Sequence, residues 1–330
     1  MTARPRQRRP APGRDAAARR RRRVVVLAAL VPLAAIVAVV LLARAGRPPA
    51  FDAARAMADI RRQVAFGPRI PGSPGHAAQL DWMERTLRPL ADSVHRQPFI
   101  WTHPQDSSLS YRGINLVASF GLHPPRDRRV ILAAHFDTRA FADRDPRPEA
   151  RAYPVPGAND GASGVAVLIE IARLLHQRQP SGPGVDLVFF DLEDAGTDSA
   201  AGGPVVPYAL GSEAFVVRNP GYRPAWGLLL DMVCDRRLRI PREALSNARA
   251  RELTDRVWAA ARRTGATAFV DAPGGAVIDD HVAFLRAGIP MVNIIHQPFP
   301  STWHTTSDLP ESCRAESLEQ VGRTVVEMVW

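Results

Sequence analysis

The chain contains no lysine: all 43 of its basic side chains are arginine. Cysteine is nearly absent too, with only Cys234 and Cys313 among 330 residues. Two thiols build neither a disulfide framework nor a cysteine-type zinc site, and whether these two pair is open at this level. No internal repeat is found, so a solenoid or propeller is excluded. Basic charge is also missing where a nucleic-acid face would need it. The formal net charge of +10 points at first to a polyanionic partner, but residues 1–50 hold twelve arginines and a single acid, Asp15. Residues 51–330 then carry 31 arginines against 32 acids. A body that close to neutral offers no electrostatic footprint for nucleic acid, and none is expected as a partner.

The one long uncharged run is VVVLAALVPLAAIVAVVLLA, residues 24–43, directly behind the block Arg19–Arg23. About 20 apolar residues span a bilayer core, and an arginine block stays on the cytoplasmic side. This predicts an Arg-rich cytoplasmic tail over 1–23, a transmembrane signal-anchor over 24–43, a linker over 44–50 and a domain over 51–330. That domain is then membrane-anchored and periplasmic or extracellular. The alternative is a signal peptide cleaved near Ala45, where Ala43-Arg44-Ala45 offers a small-x-small site, giving a secreted protein. The run exceeds the roughly 7–15 residues of a signal-peptide core, which favours the anchor.

Beyond residue 50 the pattern alternates. Helical spacing covers 51–64, 77–90, 164–176, 208–217, 242–264, 281–287 and 318–330. Strand-like runs cover 93–102, 113–120, 129–134, 185–190, 226–231 and 291–295. Strands alternating with helices imply an α/β fold with a mostly parallel sheet covered on both faces. The stretches 139–156 and 195–207 are too long for plain connections and read as functional rims.

In such sheets ligands sit beyond the C-terminal ends of the strands. His135 and Asp137 follow the run 130–134, and Asn159-Asp160 precede the helix at 164. Asp191, Glu193 and Asp194 follow 185–190, and Asp231 ends 226–231. Asp279-Asp280-His281 precede a short helix, and Trp303-His304 lie in the loop after 291–295. Crowded carboxylates raise one another's pKa values; a divalent cation removes the conflict. Imidazole and carboxylate ligands with an open position suit catalytic zinc. The set on offer is His135, Asp160, Asp194, Asp231 and His304. Glu193, beside a ligand, is placed to act as general base or acid. Asp137 reads as a carboxylate orienting His135 or as a turn residue, Asp191 as structural, and His281 as a packed or capping histidine outside the metal set.

HFDT (135–138), GANDGASG (157–164), FFDLED (189–194), YALGSEAF (208–215), LLLD (228–231), IDDHVAFLRAGIP (278–290) and PFPSTWHTTSD (298–308) together resemble the zinc aminopeptidase family M28. Within it they resemble most the glutaminyl-peptide cyclotransferases, transferases of the acyltransferase class. The resemblance covers roughly residues 50–330. It implies a three-layer α/β/α sandwich around a mixed, mostly parallel twisted sheet. It implies one zinc on Asp160, Asp194 and His304, with Glu193 as catalytic acid/base and Asp231 and Asp279 as its hydrogen-bonded partners. For the two-zinc aminopeptidases it implies a second metal on His135 and Asp231, with Asp160 bridging. All five ligands are present, so ligand count does not separate the subgroups. Asp279, where aminopeptidases typically carry Ser, and Phe299 with Trp303, similar to the aromatic lip that holds a glutaminyl side chain, favour the cyclotransferases. The expected substrate is the N-terminus of a peptide or protein. Asp194 replaces the family's usual Glu, and the loop after it lacks a Trp.

Overall fold

A computed structural model describes residues 48–123, 128–197 and 204–330. The tail, the apolar run 24–43 and most of the expected linker lie outside the described residues, among which no helix is long and apolar enough to cross a membrane. Two helices open the described chain: α1 (Ala53–Val64), capped by Asp52, and α2 (Pro74–Leu87), with Ser73 as cap and Pro74 at its first position. Both caps accept a hydrogen bond from a first-turn amide, and proline at that position costs no helical bond. A long hairpin follows, β1 (Ser93–His103) and β2 (Asp106–Phe120). Then come β3 (Arg129–His135), α3 (Ala162–Gln177), β4 (Gly184–Phe190), α4 (Leu210–Arg218) and β5 (Gly227–Asp231). The last third holds β6 (Ile240–Arg242), α5 (Ala244–Arg249), α6 (Arg251–Thr264), β7 (Phe269–Pro273), α7 (His281–Arg286), β8 (Met291–Ile295) and α8 (Ala315–Val329).

Six strands form one mixed sheet in the order β1-β2-β4-β3-β5-β8. The hairpin and the β2–β4 pair are antiparallel; the pairs among β4, β3, β5 and β8 are parallel. The sheet is thus the α/β frame expected, with its parallel part at the centre and the far edge. Strands β4, β5 and β8 are buried along their whole length, as is β3 beyond Arg129. Their near-continuous apolar runs are what a sheet covered on both faces demands. Helices α1, α3 and α8 pack on one another as one layer, while α7 packs with α4 and α5 as another. Helix α3 is apolar nearly all round, and Ala162–Ala172 are buried without a break. Residues Pro49–Trp330 make one compact unit.

Three readings needed correction. The expected helix over 242–264 is two helices, α5 and α6, broken at Ala250 (φ −133°, ψ 43°). The small parallel pair β6–β7 was not foreseen. Strand β2 begins at Asp106 rather than near 113, and its first half projects with β1 to build a second apolar cluster. There Phe99, Leu192, Val206 and Leu210 are buried, with Trp101, Leu109 and Tyr111 packed around them. This cluster supports the turn after β4. Cys234 and Cys313 form a disulfide that joins the segment after β5 to the segment leading into α8.

Candidate metal centre

The C-terminal ends of the parallel strands deliver the site. His135 is the last residue of β3 and Asp231 the last of β5. Glu193 and Asp194 lie in the turn after β4, and Asp160 in the turn leading into α3. That second turn needs Gly161, whose φ is +89° and where an added Cβ would lie 2.5 Å from the Asp137 carbonyl oxygen. Left-handed backbone also recurs at non-glycine residues of the site: Leu192 (φ 58°), Met232 (φ 49°) and His304 (φ 54°). Such conformations cost roughly 1–2 kcal/mol each and cluster where geometry matters more than stability.

The side chains converge. His135 Nε2 lies 3.1 Å from Asp160 Oδ1 and 3.2 Å from Asp231 Oδ1. His304 Nε2 lies 3.2 Å from Asp194 Oδ1 and 3.7 Å from Asp160 Oδ2. Three sets can each share an ion: Asp160, Asp194 and His304; His135, Asp160 and Asp231; and His135, Glu193 and Asp194. Donors about 2.0–2.2 Å from a tetrahedral zinc lie roughly 3.3–3.6 Å from one another, and the observed separations scatter about that range. Asp194 Oδ2, fully buried, has no hydrogen-bond partner. The charges point the same way. Burial first and the Asp194 charge second push Asp160 up to about 6. Burial resists a proton on His304, yet the Asp194 charge and hydrogen bonds to Asp143 and Asp194 carry it up to about 9. A carboxylate, Asp160, that resists ionisation beside two imidazoles, His135 and His304, that gather protons marks a donor set short of positive charge. Nitrogen and carboxylate donors in this arrangement fit zinc.

Four further carboxylates hold the ligand loops by their backbones. Asp137 accepts hydrogen bonds from the Glu193 and Asp194 amides at 3.1 and 3.0 Å. Asp308 does the same for Asn159 and Asp160, at 2.8 and 3.0 Å. Asp145 accepts from the amide and hydroxyl of Thr306 in the His304 loop. Asp191 accepts from the Ile114 and Leu192 amides and lies 2.9 Å from His76 Nε2. Arg139 forms a two-pronged pair with Asp143 and donates to the carbonyls of Asp194 and Gly196. Asp143 in turn lies 3.3 Å from His304 Nδ1.

Residues 115–329 match the sequence profile of peptidase family M28. The chain belongs to that family. It is 28% identical over 286 residues to the glutaminyl-peptide cyclotransferase of Bos taurus, covering 77% of this chain and 76% of that protein. It also superposes on the Bacteroides thetaiotaomicron glutaminyl cyclase bound to N-acetylhistamine with a TM-score of 0.80 and 36% identity, covering 86% of this chain and 99% of that one. A Zn-dependent exopeptidase from Parabacteroides distasonis matches equally well, at TM-score 0.80 and 36% identity over the same shares.

In this M28 chain Asp160, Asp194, Asp231 and His304 line a cavity of about 720 Å³ that Glu193, Asp279, Phe299 and Trp303 also line. Glu193 is pushed well above the usual carboxylate range, by burial first and then by the charges of Asp194, Asp279 and Asp280, against the pull of His135. Asp279 is pushed up to about 6 by burial and by Asp231; Asn293 Nδ2 and the Asp280 amide, each 2.6 Å away, hold its carboxylate. Trp303 stacks on the His304 ring at 3.9 Å between centroids, and Phe299 tilts against Trp303 at 4.6 Å. The expected ligands thus converge, and Asp279, Phe299 and Trp303 line the same cavity. Among the described residues, however, Asp231 lies against His135, and Asp279 against Asn293 and the Asp280 amide, not in the expected hydrogen bonds to Glu193. Asp137 and Asp191 turn out to be backbone clamps. His281 stays outside, 3.2 Å from Glu243 Oε2. Sequence reasoning missed Arg69, Arg139, Asp143, Asp145 and Asp308. The unusual length of 139–156 flagged the segment of three of them; nothing local marked Arg69.

Proposed function

We propose that this M28 protein is a glutaminyl-peptide cyclotransferase, converting N-terminal glutamine to pyroglutamate with release of ammonia. One observation carries the reading: Glu193, with its raised pKa, lies beside the metal donors at the base of a cavity walled by Phe299 and Trp303. The curated and structural cyclase relatives support it. Asp160, Asp194 and His304 would hold zinc, which when bound supplies Lewis acidity at the substrate's γ-carbonyl. The α-amine nitrogen bonds to that carbonyl carbon and the bond to the side-chain nitrogen breaks, giving a five-membered lactam and ammonia. Glu193 takes the proton the amine gives up and delivers it to the departing nitrogen. A carboxyl poised nearer neutrality does both jobs better than one of ordinary acidity. Asp194, Asp279 and Asp280 help keep Glu193 in that state, since crowded carboxyls cannot all ionise. Phe299 and Trp303 exclude water, which would otherwise compete to hydrolyse the amide. The nucleophile is tethered to the electrophile, so little orientational entropy remains to be lost.

The set His135, Asp160 and Asp231 favours a second reading, a two-metal exopeptidase removing N-terminal residues. Incubation of a Gln-initiated peptide with the purified protein, with and without chelator, separates the two by mass spectrometry. Loss of ammonia alone identifies the cyclase; loss of a whole residue identifies the exopeptidase. Zinc analysis is expected to give about one equivalent for the first and two for the second. Residues 51–330 are the catalytic domain in this reading, anchored through 24–43 and facing the periplasm or exterior. Release of the protein from membranes by alkaline carbonate would instead indicate a cleaved signal.

A further inference from the structure

A second concavity, of about 430 Å³, adjoins the catalytic cavity, and Ala276, Val277 and Phe299 line both. Its walls are in place before anything binds. Pro241, Pro273 and Pro298 line it, and proline has a locked φ. The Gln297 side chain accepts from the Gly275 amide at 2.7 Å and donates to the Gly275 carbonyl at 3.3 Å. Gly274 packs so closely on this clamp that an added Cβ would lie 2.8 Å from Gln297 Oε1. A groove already in shape costs little ordering when it is filled.

Arg239 is the one charged residue of this lining among the described residues. It is exposed, and its Nη1 donates to the Gln297 carbonyl at 3.1 Å. That bond orients the guanidinium and leaves Nε and Nη2 without a partner among the described residues. Those two groups form the fork that takes a carboxylate by two parallel hydrogen bonds. By contrast Arg286, in the lining of the catalytic cavity, is neutralised by Glu213 at 2.6 Å, and Arg242 by Asp255 and Asp271. At His296, next to Gln297, Arg237 and Arg239 act together against Asp235 alone, so the local field is positive.

We propose that this groove holds the substrate polypeptide beyond its second residue and that Arg239 selects an acidic side chain there. The proposal rests on the cyclotransferase reading, which puts the N-terminal glutamine at the metal donors. The rest of the chain must leave the cavity, and the wall shared through Val277 and Phe299 makes this groove continuous with it. An extended chain advances about 3.3 Å per residue, so moving one acid along positions three to five samples the groove in steps of that size.

The experiment measures ammonia release by the full chain from Gln-Leu-Ala-Ala-Ala amide, and from peptides with Glu or Arg replacing one alanine at position three, four or five. Glu at one of these positions is expected to raise kcat/KM about two- to fivefold over the alanine peptide, the range of a partly exposed ion pair, mainly through KM. Arg at the same position should lower it. The gain should shrink as ionic strength rises. Arg239→Ala is expected to bring the Glu-to-Ala ratio to one, Arg239→Glu to invert it, and Arg239→Lys to keep part of it. Using a ratio within each variant keeps the test independent of how much folded enzyme it yields. No Glu position above alanine, or a ratio untouched in Arg239→Ala, overturns the proposal and leaves the cyclase reading standing. A ratio lost instead in Arg144→Ala, whose guanidinium lies over Trp303, puts the chain on another path and overturns it as well. Ammonia release from none of the peptides overturns both.

Discussion

Burial acts on Glu193 and Arg69 in opposite senses, and each is informative. For Glu193, burial and neighbouring carboxylates favour the protonated form, which suits a group that must give a proton back as well as take one. Glu193→Gln keeps the shape and removes the exchange. Its kcat for Gln-peptides should fall by about 10²–10⁴, while metal analysis should find zinc retained; undiminished ammonia release would remove Glu193 from the mechanism. Arg69 is fully buried. Its guanidinium donates to the carbonyls of Pro156 and Gly157, and its backbone exchanges hydrogen bonds with Thr138. Burial lowers its pKa to about 10 against the opposing pull of Asp308, Asp137, Asp160 and Asp194, so it remains a cation beneath the site. Two of those acids are the clamps that hold the ligand loops. Arg69→Gln should therefore weaken zinc retention about 10–100-fold in chelator competition. Arg69→Lys should recover part of the loss, since it keeps the charge but not the fork that reaches two carbonyls. Unchanged zinc affinity in Arg69→Gln would reduce Arg69 to a packing residue. The contrast also marks what a sequence makes legible. Glu193 announces itself because it lies three residues past the end of a buried strand. Arg69 lies in the turn-rich GPRIPGSPG, and the four acids around it come from four different segments.

At the scale of elements, the strands were legible because β3, β4, β5 and β8 are short apolar runs closed by a polar residue. The break between α5 and α6 was not, because its cause is tertiary. Glu243 accepts hydrogen bonds from the Leu245 and Ser246 amides at the start of α5, and from Val277 in the loop before Asp279. The same carboxylate lies 3.2 Å from His281 Nε2 in α7. One side chain thus ties α5, α7 and the loop carrying Asp279 together, and α6 must start afresh at Arg251. The start of β2 was missed for a different reason. Its residues from Asp106 to Arg112 are all partly or fully exposed, and the apolar face is only two residues, Leu109 and Tyr111, too short a period to mark a strand. Burial raises the Glu243 pKa, but the His281 contact and the backbone amides outweigh it and hold the carboxyl down to about 2. A folded-state pKa below the unfolded one contributes stability above the ordinary carboxyl range, lost as pH falls through the folded value. Thermal stability should accordingly decline between about pH 5 and pH 2. Glu243→Gln should lose on the order of 3 kcal/mol at pH 7 and show a flatter profile across that window. An unaltered acid limb in the variant would show that other groups govern it.

For the whole molecule, the M28 match begins at residue 115, yet the catalytic end is not self-sufficient from there. Helix α1 buries Ala56, Met57 and Ile60 in the main core. Gln63 donates to the Ala162 carbonyl at the start of α3, and Gln79 donates to Gln63. His76 backs Asp191, Arg69 lies under the metal donors, and Phe99 and Trp101 belong to the cluster that supports Leu192. Phe51 fills the space over Gly322 of α8, where an added Cβ would come within 2.4 Å of its ring. The segment 51–114 is therefore built into both the core and the site, whereas the unit Pro49–Trp330 closes its own core. Truncation to 49–330 should melt cooperatively, bind zinc and release ammonia from Gln-peptides at a rate close to that of the full chain. Truncation to 115–330 should expose the faces that α1, α2 and β1 cover, strip Asp191 of His76 and the Ile114 amide, and remove the Arg69 cation that faces Asp137 and Asp308, costs that together exceed the roughly 5–15 kcal/mol by which a domain is stable. Calorimetry and metal analysis on the two fragments check this. A cooperative melt with bound zinc in 115–330 would mean that the catalytic centre stands without the segment on which Arg69 and His76 are carried.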